Sequence, residues 1–288
     1  MKKSISQKLT FSLAMAIFGT LGIFTRMIPL QSGEIALYRA ILASFVLILV
    51  LSLRKGKRKI AIKGKTLLYL FLSGSAMGFN WIFLFEAYNY TSITAATLSY
   101  YFAPTIVLLL SPVLLKETMT KRKVLSFIIS TVGLVMVIIN GNLGGGKNDL
   151  FGVAMGLIAA ALYSTVILIN KKTEGCEGIE RTLLQFIAAI IVLTPYVALT
   201  GGFNLFSLPS SGWFALLTLG IFHTGITYAM YFSSLIHLKG SEISILSYID
   251  PLTAMVVSIF ILSEPTTVLQ IIGGVLILGG TLFSQEKG

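Results

Sequence analysis

Apolar runs of roughly 17 to 25 residues, each long enough to cross a hydrocarbon core of about 30 Å as a helix, follow one another almost without a break. They fall at about 9–28, 34–53, 66–90, 92–115, 121–140, 150–170, 181–200, 211–236, 241–262 and 266–284. A soluble domain of this size has too little interior to hide that much apolar helix. Composition agrees: 11% of the residues are charged, against about a quarter in soluble domains. The pattern predicts an all-α integral membrane protein with ten transmembrane helices. Ala14-Met15-Ala16 has the spacing of a signal-peptide cleavage site but lies in the middle of its apolar run, so the first segment is read as an uncleaved helix. The single Cys176 can form no intramolecular disulfide.

The net charge of +11 would suit a nucleic-acid partner, but the distribution of the basic residues argues otherwise. In a ten-helix topology with the N-terminus inside, 19 of the Lys and Arg residues fall on the cytoplasmic side, and only Arg26, Arg39 and Lys147 fall on the outer side. That bias follows the positive-inside rule and places both termini in the cytoplasm. The cluster LRKGKRK at 53–59 is then a topology determinant facing anionic lipid, and no nucleic acid is expected.

The chain also says one thing twice. LSYYFAP at 98–104 is echoed by LSYIDP at 246–251, and aligning Pro104 with Pro251 brings Tyr101 onto Tyr248, Ser111 onto Ser258, Glu117 onto Glu264, Thr120 onto Thr267 and Gly133 onto Gly280. The same offset of 147 residues puts Gly78 on Gly225. The halves are therefore a first five-helix repeat at 1–140, a Gly-rich external linker at 141–149, and a second five-helix repeat at 150–288. An odd number of helices per repeat inverts the second copy relative to the first, as in many secondary transporters.

Two five-helix halves, each closing with Pro, then Glu thirteen residues on, then Thr three further, before a Gly-bearing last helix, resemble the EamA branch of the drug/metabolite transporter superfamily. The matching residues are Pro104, Glu117, Thr120 and Gly133, and again Pro251, Glu264, Thr267 and Gly280; GTLGIFTR at 19–26 also looks like the family's first helix. The resemblance implies a central cavity lined mainly by helices 1 to 4 and 6 to 9, with helices 5 and 10 at the side, often at a dimer contact. Family members move amino acids, other metabolites, nucleotide-linked solutes and drugs, so the resemblance leaves the substrate open.

Within the motif, each proline deprives the carbonyl four residues earlier, Tyr100 or Ser247, of its partner, which makes Pro104 and Pro251 candidate helix hinges or plain packing kinks. Glu117 and Glu264 sit at short turns and are expected to cap the helix that follows or to complement its dipole. Asp250 is more informative, because its repeat partner is Ala103: an acid has been added to a shared scaffold in mid-helix, where ionisable groups are costly. It is a candidate for substrate or proton binding, the alternative being a neutral acid bonded to a loosened carbonyl. Arg39 and Glu86 lie at similar depth below the outer surface and are expected to pair as an external gate or as a static salt bridge.

Tyr38, Trp81, Tyr101, Tyr163, Tyr228 and Tyr248 offer flat apolar faces with hydrogen-bonding edges, which suits an amphiphilic solute, although aromatic enrichment is ordinary in membrane proteins. Asn80, Gln185 and His223 are polar additions to the same expected cavity. His223 has no nearby His or Cys at metal-ligand spacing, and no cofactor or metal is expected. An intramembrane enzyme would need reactive groups gathered at one depth, such as Asp250 with His223, and nothing in their spacing marks a site; a sensor or scaffold is the other alternative. The reading is a secondary transporter of the bacterial cytoplasmic membrane that moves a small amphiphilic metabolite, an amino acid or derivative, by alternating access and with export favoured. Uptake, and solutes such as a nucleoside derivative, amine or drug, are the alternatives. The first helix carries no acid, unlike the small cation exporters of the superfamily, and the cavity lacks the several cations a phosphate would favour. Its expected partners are a small-molecule substrate and membrane lipids; proton coupling and a homodimer stay open.

Overall fold

The computed structural model of the chain describes residues 2–53, 64–116, 118–138, 148–176, 178–235, 237–238 and 240–284. The basic cluster beyond Leu53, Glu117, Lys239 and linker residues 141–147 lie outside them. The described residues hold helices and no strand. In chain order these are α1 (Lys2–Gly19), α2 (Leu21–Arg26), α3 (Ser32–Leu53), α4 (Gly64–Tyr90), α5 (Ile93–Tyr100), α6 (Ala103–Leu114), α7 (Lys121–Ile138), α8 (Asp149–Asn170), α9 (Gly178–Thr200) and α10 (Ser210–Leu217), then α11 (Thr227–Leu235), α12 (Gly240–Leu246), α13 (Ile249–Val256) and α14 (Val268–Ser284). A π-helical segment, Thr218–Ile226, joins α10 to α11, and a second, Val257–Ile261, follows α13.

Seven helical runs among the described residues are long and apolar enough to cross a membrane: Ser6–Arg26, Ser32–Leu53, Gly64–Tyr90, Ile93–Leu114, Asp149–Asn170, Gly178–Thr200 and Ser210–Leu235. The apolar stretches Ile249–Ile261 and Val268–Phe283 are shorter, and α7 opens on Lys121, Arg122 and Lys123. Large apolar side chains such as Phe45, Leu49, Val113 and Phe260 point outward, as a lipid-facing surface requires.

Helix starts carry local signals. Ser92 caps α5 by accepting from the Ala95 N–H at 3.1 Å, and Asn148 caps α8 by accepting from the Phe151 N–H at 3.2 Å. Thr267 and Gln270 form a reciprocal box at the start of α14, the Gln270 N–H donating to Thr267 Oγ1 at 3.2 Å and the Thr267 N–H to Gln270 Oε1 at 3.0 Å. Glu264 therefore does not cap the helix that follows it, as its position in the turn suggested. Its carboxylate reaches across to the Ile93 N–H, 2.9 Å away at the start of α5, because Thr267 already serves α14. Lys116 and Ser263, one repeat apart, both adopt left-handed backbone, with φ of 57° and 52°, so the two equivalent turns share one conformation.

The predicted fourth and ninth helices are not continuous. Each is interrupted just upstream of its proline, at Tyr101–Phe102 and at Ser247–Tyr248, and Pro104 and Pro251 fall in the first turn of the second half-helix, where a missing N–H costs nothing. The first predicted helix also breaks, at Thr20.

Packing repeats with the sequence. Ser126 Oγ of α7 donates to the Gly280 carbonyl of α14 at 2.6 Å, and Gly133 of α7 lies so close to Gly273 of α14 that a Cβ on either would strike the other's carbonyl. Adding 147 to Ser126 gives Gly273 and to Gly133 gives Gly280, so the two contacts exchange under the repeat. Residue numbers rise along α7 as they fall along α14, so these equivalent helices are antiparallel. In the same way Gly78 of α4 packs on Leu193 of α9, and Gly225 packs on Val46 of α3, contacts again related by 147 at both ends.

Candidate functional site

The two helix breaks face each other. Tyr101, at the first, donates its hydroxyl hydrogen to Asp250 Oδ2, on the second residue of α13. The rings of Tyr100 and Tyr101 meet edge to face, and Tyr163 of α8 tilts over Tyr100 with centroids 5.4 Å apart. Tyr163 keeps 37% of its surface accessible, and Tyr100, Tyr101, Tyr228 and Asp250 are partly accessible too. Yet protein surrounds all five. Accessible surface on side chains this far inside the bundle marks a candidate chamber at the helix breaks.

Arg39 is a second ionisable side chain within the bundle. It is 3% exposed, its Nε donates to Thr224 Oγ1 at 2.6 Å, and its guanidinium lies 4.4 Å from the Trp81 ring centroid and 5.5 Å from that of Phe85. Trp81 meets Phe186 edge to face at 5.3 Å, and Phe186 meets Tyr228 at 5.6 Å. Tyr88, Tyr100 and Tyr228 are electrostatic neighbours of both Arg39 and Asp250. Thr224 belongs to the π-helical segment, where Thr224 and Thr227 direct their hydroxyls to the carbonyls of Leu219 and Phe222, five residues back, at 2.7 and 2.8 Å. The widened turn thus keeps its carbonyls satisfied while presenting Thr224 Oγ1 to the arginine.

The expected ion pair between Arg39 and Glu86 is not formed. Glu86 instead accepts from Ser32 Oγ at 2.6 Å, because Arg39 is drawn inward onto the aromatic rings and Thr224. The ion pair at that end of the bundle is Arg26 with Glu264. Arg26 also donates to the Tyr88 carbonyl at 3.0 Å and to the Thr91 carbonyl at 2.7 Å, while Glu264 holds Ser258 and the Ile93 N–H. This network ties α2, the turn between α4 and α5, and the turn before α14 into one plug.

Several sequence candidates are bonded to neighbouring elements. Asn80 donates to the Ala159 carbonyl at 2.6 Å, tying α4 to α8. Gln185 gives its amide hydrogens to Ser73 Oγ and Asn170 Oδ1, both at 2.8 Å. Tyr248 turns to Thr281 of α14, whereas its repeat partner Tyr101 turns to Asp250. Tyr38 reaches Leu205 beyond the end of α9. His223 bonds to Thr20 Oγ1 at 2.8 Å and to the Thr218 carbonyl at 3.2 Å. A carbonyl can only accept, so Nδ1 donates to Thr218, while the Thr20 hydroxyl also reaches the Ile17 carbonyl at 2.8 Å. His223 lies at the side of the bundle in an apolar cleft of about 470 Å³ that Phe24, Phe222 and Thr253 also line. It makes no bond with Asp250 among the described residues. Among the described residues no cluster of His, Cys, Asp or Glu could hold a metal ion.

Tyr88, Phe186 and Thr224 were missing from the sequence candidates. Tyr88 and Phe186 read as two more aromatics in apolar helices, and Thr224 is singled out only by the π-helical turn.

The family model described as the EamA-like transporter family matches this chain twice, over residues 7–139 and 150–284. An uncharacterized transporter YxxF of Bacillus subtilis (strain 168) is 31% identical over 93% of this chain and 86% of its own. An uncharacterized transporter of Clostridium kluyveri is 27% identical over 80% of this chain and 76% of its own. A protein crystal structure superposes with a TM-score of 0.65 at 18% identity, covering 96% of both chains, a likeness of fold.

Proposed function

Because the chain belongs to the EamA-like transporter family and is a multi-pass membrane protein, we propose that it is a secondary transporter working by alternating access in the bacterial cytoplasmic membrane. Its substrate is a small amphiphilic metabolite, an amino acid or derivative, moved in the export direction. The observation that carries this reading is the enclosed chamber at the facing helix breaks, where Asp250 meets Tyr101. An acid there offers a counter-charge for a substrate ammonium, and the tyrosines offer apolar faces for the rest of the molecule.

The membrane arrangement belongs to the same proposal: ten crossings, the second five inverted, both termini cytoplasmic. Three features support it, namely the antiparallel course of α7 and α14, the exchange of glycine contacts under the repeat, and the basic residues gathered in alternate connections. Pro104 and Pro251 are the hinges about which the half-helices move. The Arg26–Glu264 plug then closes the outer mouth and leaves this structure facing the cytoplasm; it takes the gating role first assigned to Arg39 and Glu86.

Counterflow in proteoliposomes across amino acids, nucleosides, amines and drugs tests the function. Exchange of one or more amino acids or their derivatives is expected. Exchange confined to amines, nucleosides or drugs would remove the substrate class and keep the carrier. No exchange of any solute by protein that is folded and oriented would overturn transport itself.

A further inference from the structure

Arg39 has a vacancy in its bonding. Only Nε finds an acceptor, Thr224; Nη1 and Nη2 have none among the described residues, and neither is sealed off from the chamber. Two rings hold the guanidinium in place from α4. A cation that is 97% removed from solvent, fixed in orientation and without a carboxylate is costly unless something completes it. The nearest acid along α4, Glu86, is bonded to Ser32, and Asp250 is bonded to Tyr101. The fork of the guanidinium is therefore left without a protein acceptor among the described residues.

We propose that Arg39 is the receptor for the substrate's carboxylate, its two Nη groups taking the two oxygens. The inference rests on the transporter reading and narrows its substrate to zwitterions with a free carboxylate. One guanidinium matches a monoanion in charge and in fork geometry, whereas a phosphate dianion would leave a surplus negative charge in an apolar bundle. Tyr88, Tyr100 and Tyr228, neighbours of both charges, supply hydroxyls and ring faces to the body of the molecule. Trp81 and Phe85 are positioning residues: they fix the plane of the guanidinium and contact the substrate only through it. The role differs from a gate, because a gating arginine needs a protein acid to close upon and Arg39 has none.

The test compares each L-amino acid with its primary amide and its decarboxylated amine, as ligands that protect the purified protein from thermal unfolding, and adds inorganic phosphate. At least one amino acid should bind the unaltered protein about tenfold or more tightly than its amide, the difference expected when one partner of a charge-assisted pair is lost, and phosphate should not bind. Arg39→Gln should bring that ratio close to one, and Arg39→Lys, which keeps the charge but not the fork, should fall between. An amide that binds as well as its acid, binding by none of the amino acids, tight phosphate binding, or an undiminished ratio in Arg39→Gln would each overturn the assignment. If Arg39→Gln does not fold, the acid-to-amide ratio of the unaltered protein still decides. Counterflow separates the two levels: a solute without a carboxylate that exchanges would sink this inference and leave the carrier standing.

Discussion

Asp250 and Arg39 are both ionisable groups in an apolar bundle, and their surroundings differ in a way that assigns them different work. Asp250 has one donor, Tyr101, and retains acceptor capacity toward the chamber; Arg39 has one acceptor and retains two donor groups. Asp250→Asn preserves size and removes the charge, so ligands bearing an ammonium should bind about tenfold or more weakly, consistent with about 1.5–3 kcal/mol for a hydrogen bond to a charged group. N-acetylated forms of the same ligands, which carry no ammonium, should be affected little. Isothermal titration with matched pairs measures both, and an equal loss for the two forms would mean that Asp250 only props the broken helix. Exchange that survives in Asp250→Asn while accumulation against a pH gradient is lost would reassign the acid to proton coupling. Both charges were legible in the sequence because a charge interrupts an apolar run. Their partners were not, because Thr224, Tyr88 and Ser32 look like any other residue of such helices until tertiary packing selects them.

Breaks in the helices were only half visible. The prolines mark where α6 and α13 begin, but the interruption falls upstream, at Tyr101 and Tyr248, because proline is comfortable in a first turn and the lost hydrogen bond is felt one turn earlier. The break at Thr20 and the π-helical segments have no equivalent mark, since they arise where helices press together: Gly19 abuts the Asp250 carbonyl, and Gly220 abuts Leu42. Glu264 illustrates the same limit. Its place in a tight turn suggested a local cap, whereas it closes a contact across the bundle to Arg26 and the start of α5. If that network is the outer plug, Arg26→Gln and Glu264→Gln should each raise, by several fold, the rate at which an impermeant maleimide reaches a cysteine placed at Tyr163 from outside. Each single change already opens the plug, so the double variant should label no faster than the faster single one. Rates that multiply in the double variant would show that the two residues act independently.

At the scale of the whole molecule, the strongest constraint is the relation between the halves, and it was the most legible part of the sequence because a period of 147 residues needs no structural knowledge to detect. The structure adds direction: Ser126 with Gly280 and Gly133 with Gly273 place equivalent helices antiparallel. A helix and its equivalent can run oppositely only if an odd number of crossings separates the repeats. In the proposed ten-crossing arrangement the start of α7, which holds Arg122, and the connection after α9, which holds Phe203, fall on opposite sides of the membrane. Arg122 belongs to the basic set that the positive-inside rule assigns to the cytoplasm, and Phe203 is exposed beside the contact that Asn204 makes to Glu34, its N–H donating to Glu34 Oε1 at 2.6 Å. In a Cys176→Ser background, a cysteine at Arg122 should react with an impermeant reagent only in inside-out vesicles, and one at Phe203 only in intact cells. Reaction of both from the same side would require an even number of crossings from α7 through α9, where the inverted arrangement has three, and the alternating-access reading would lose its geometric basis.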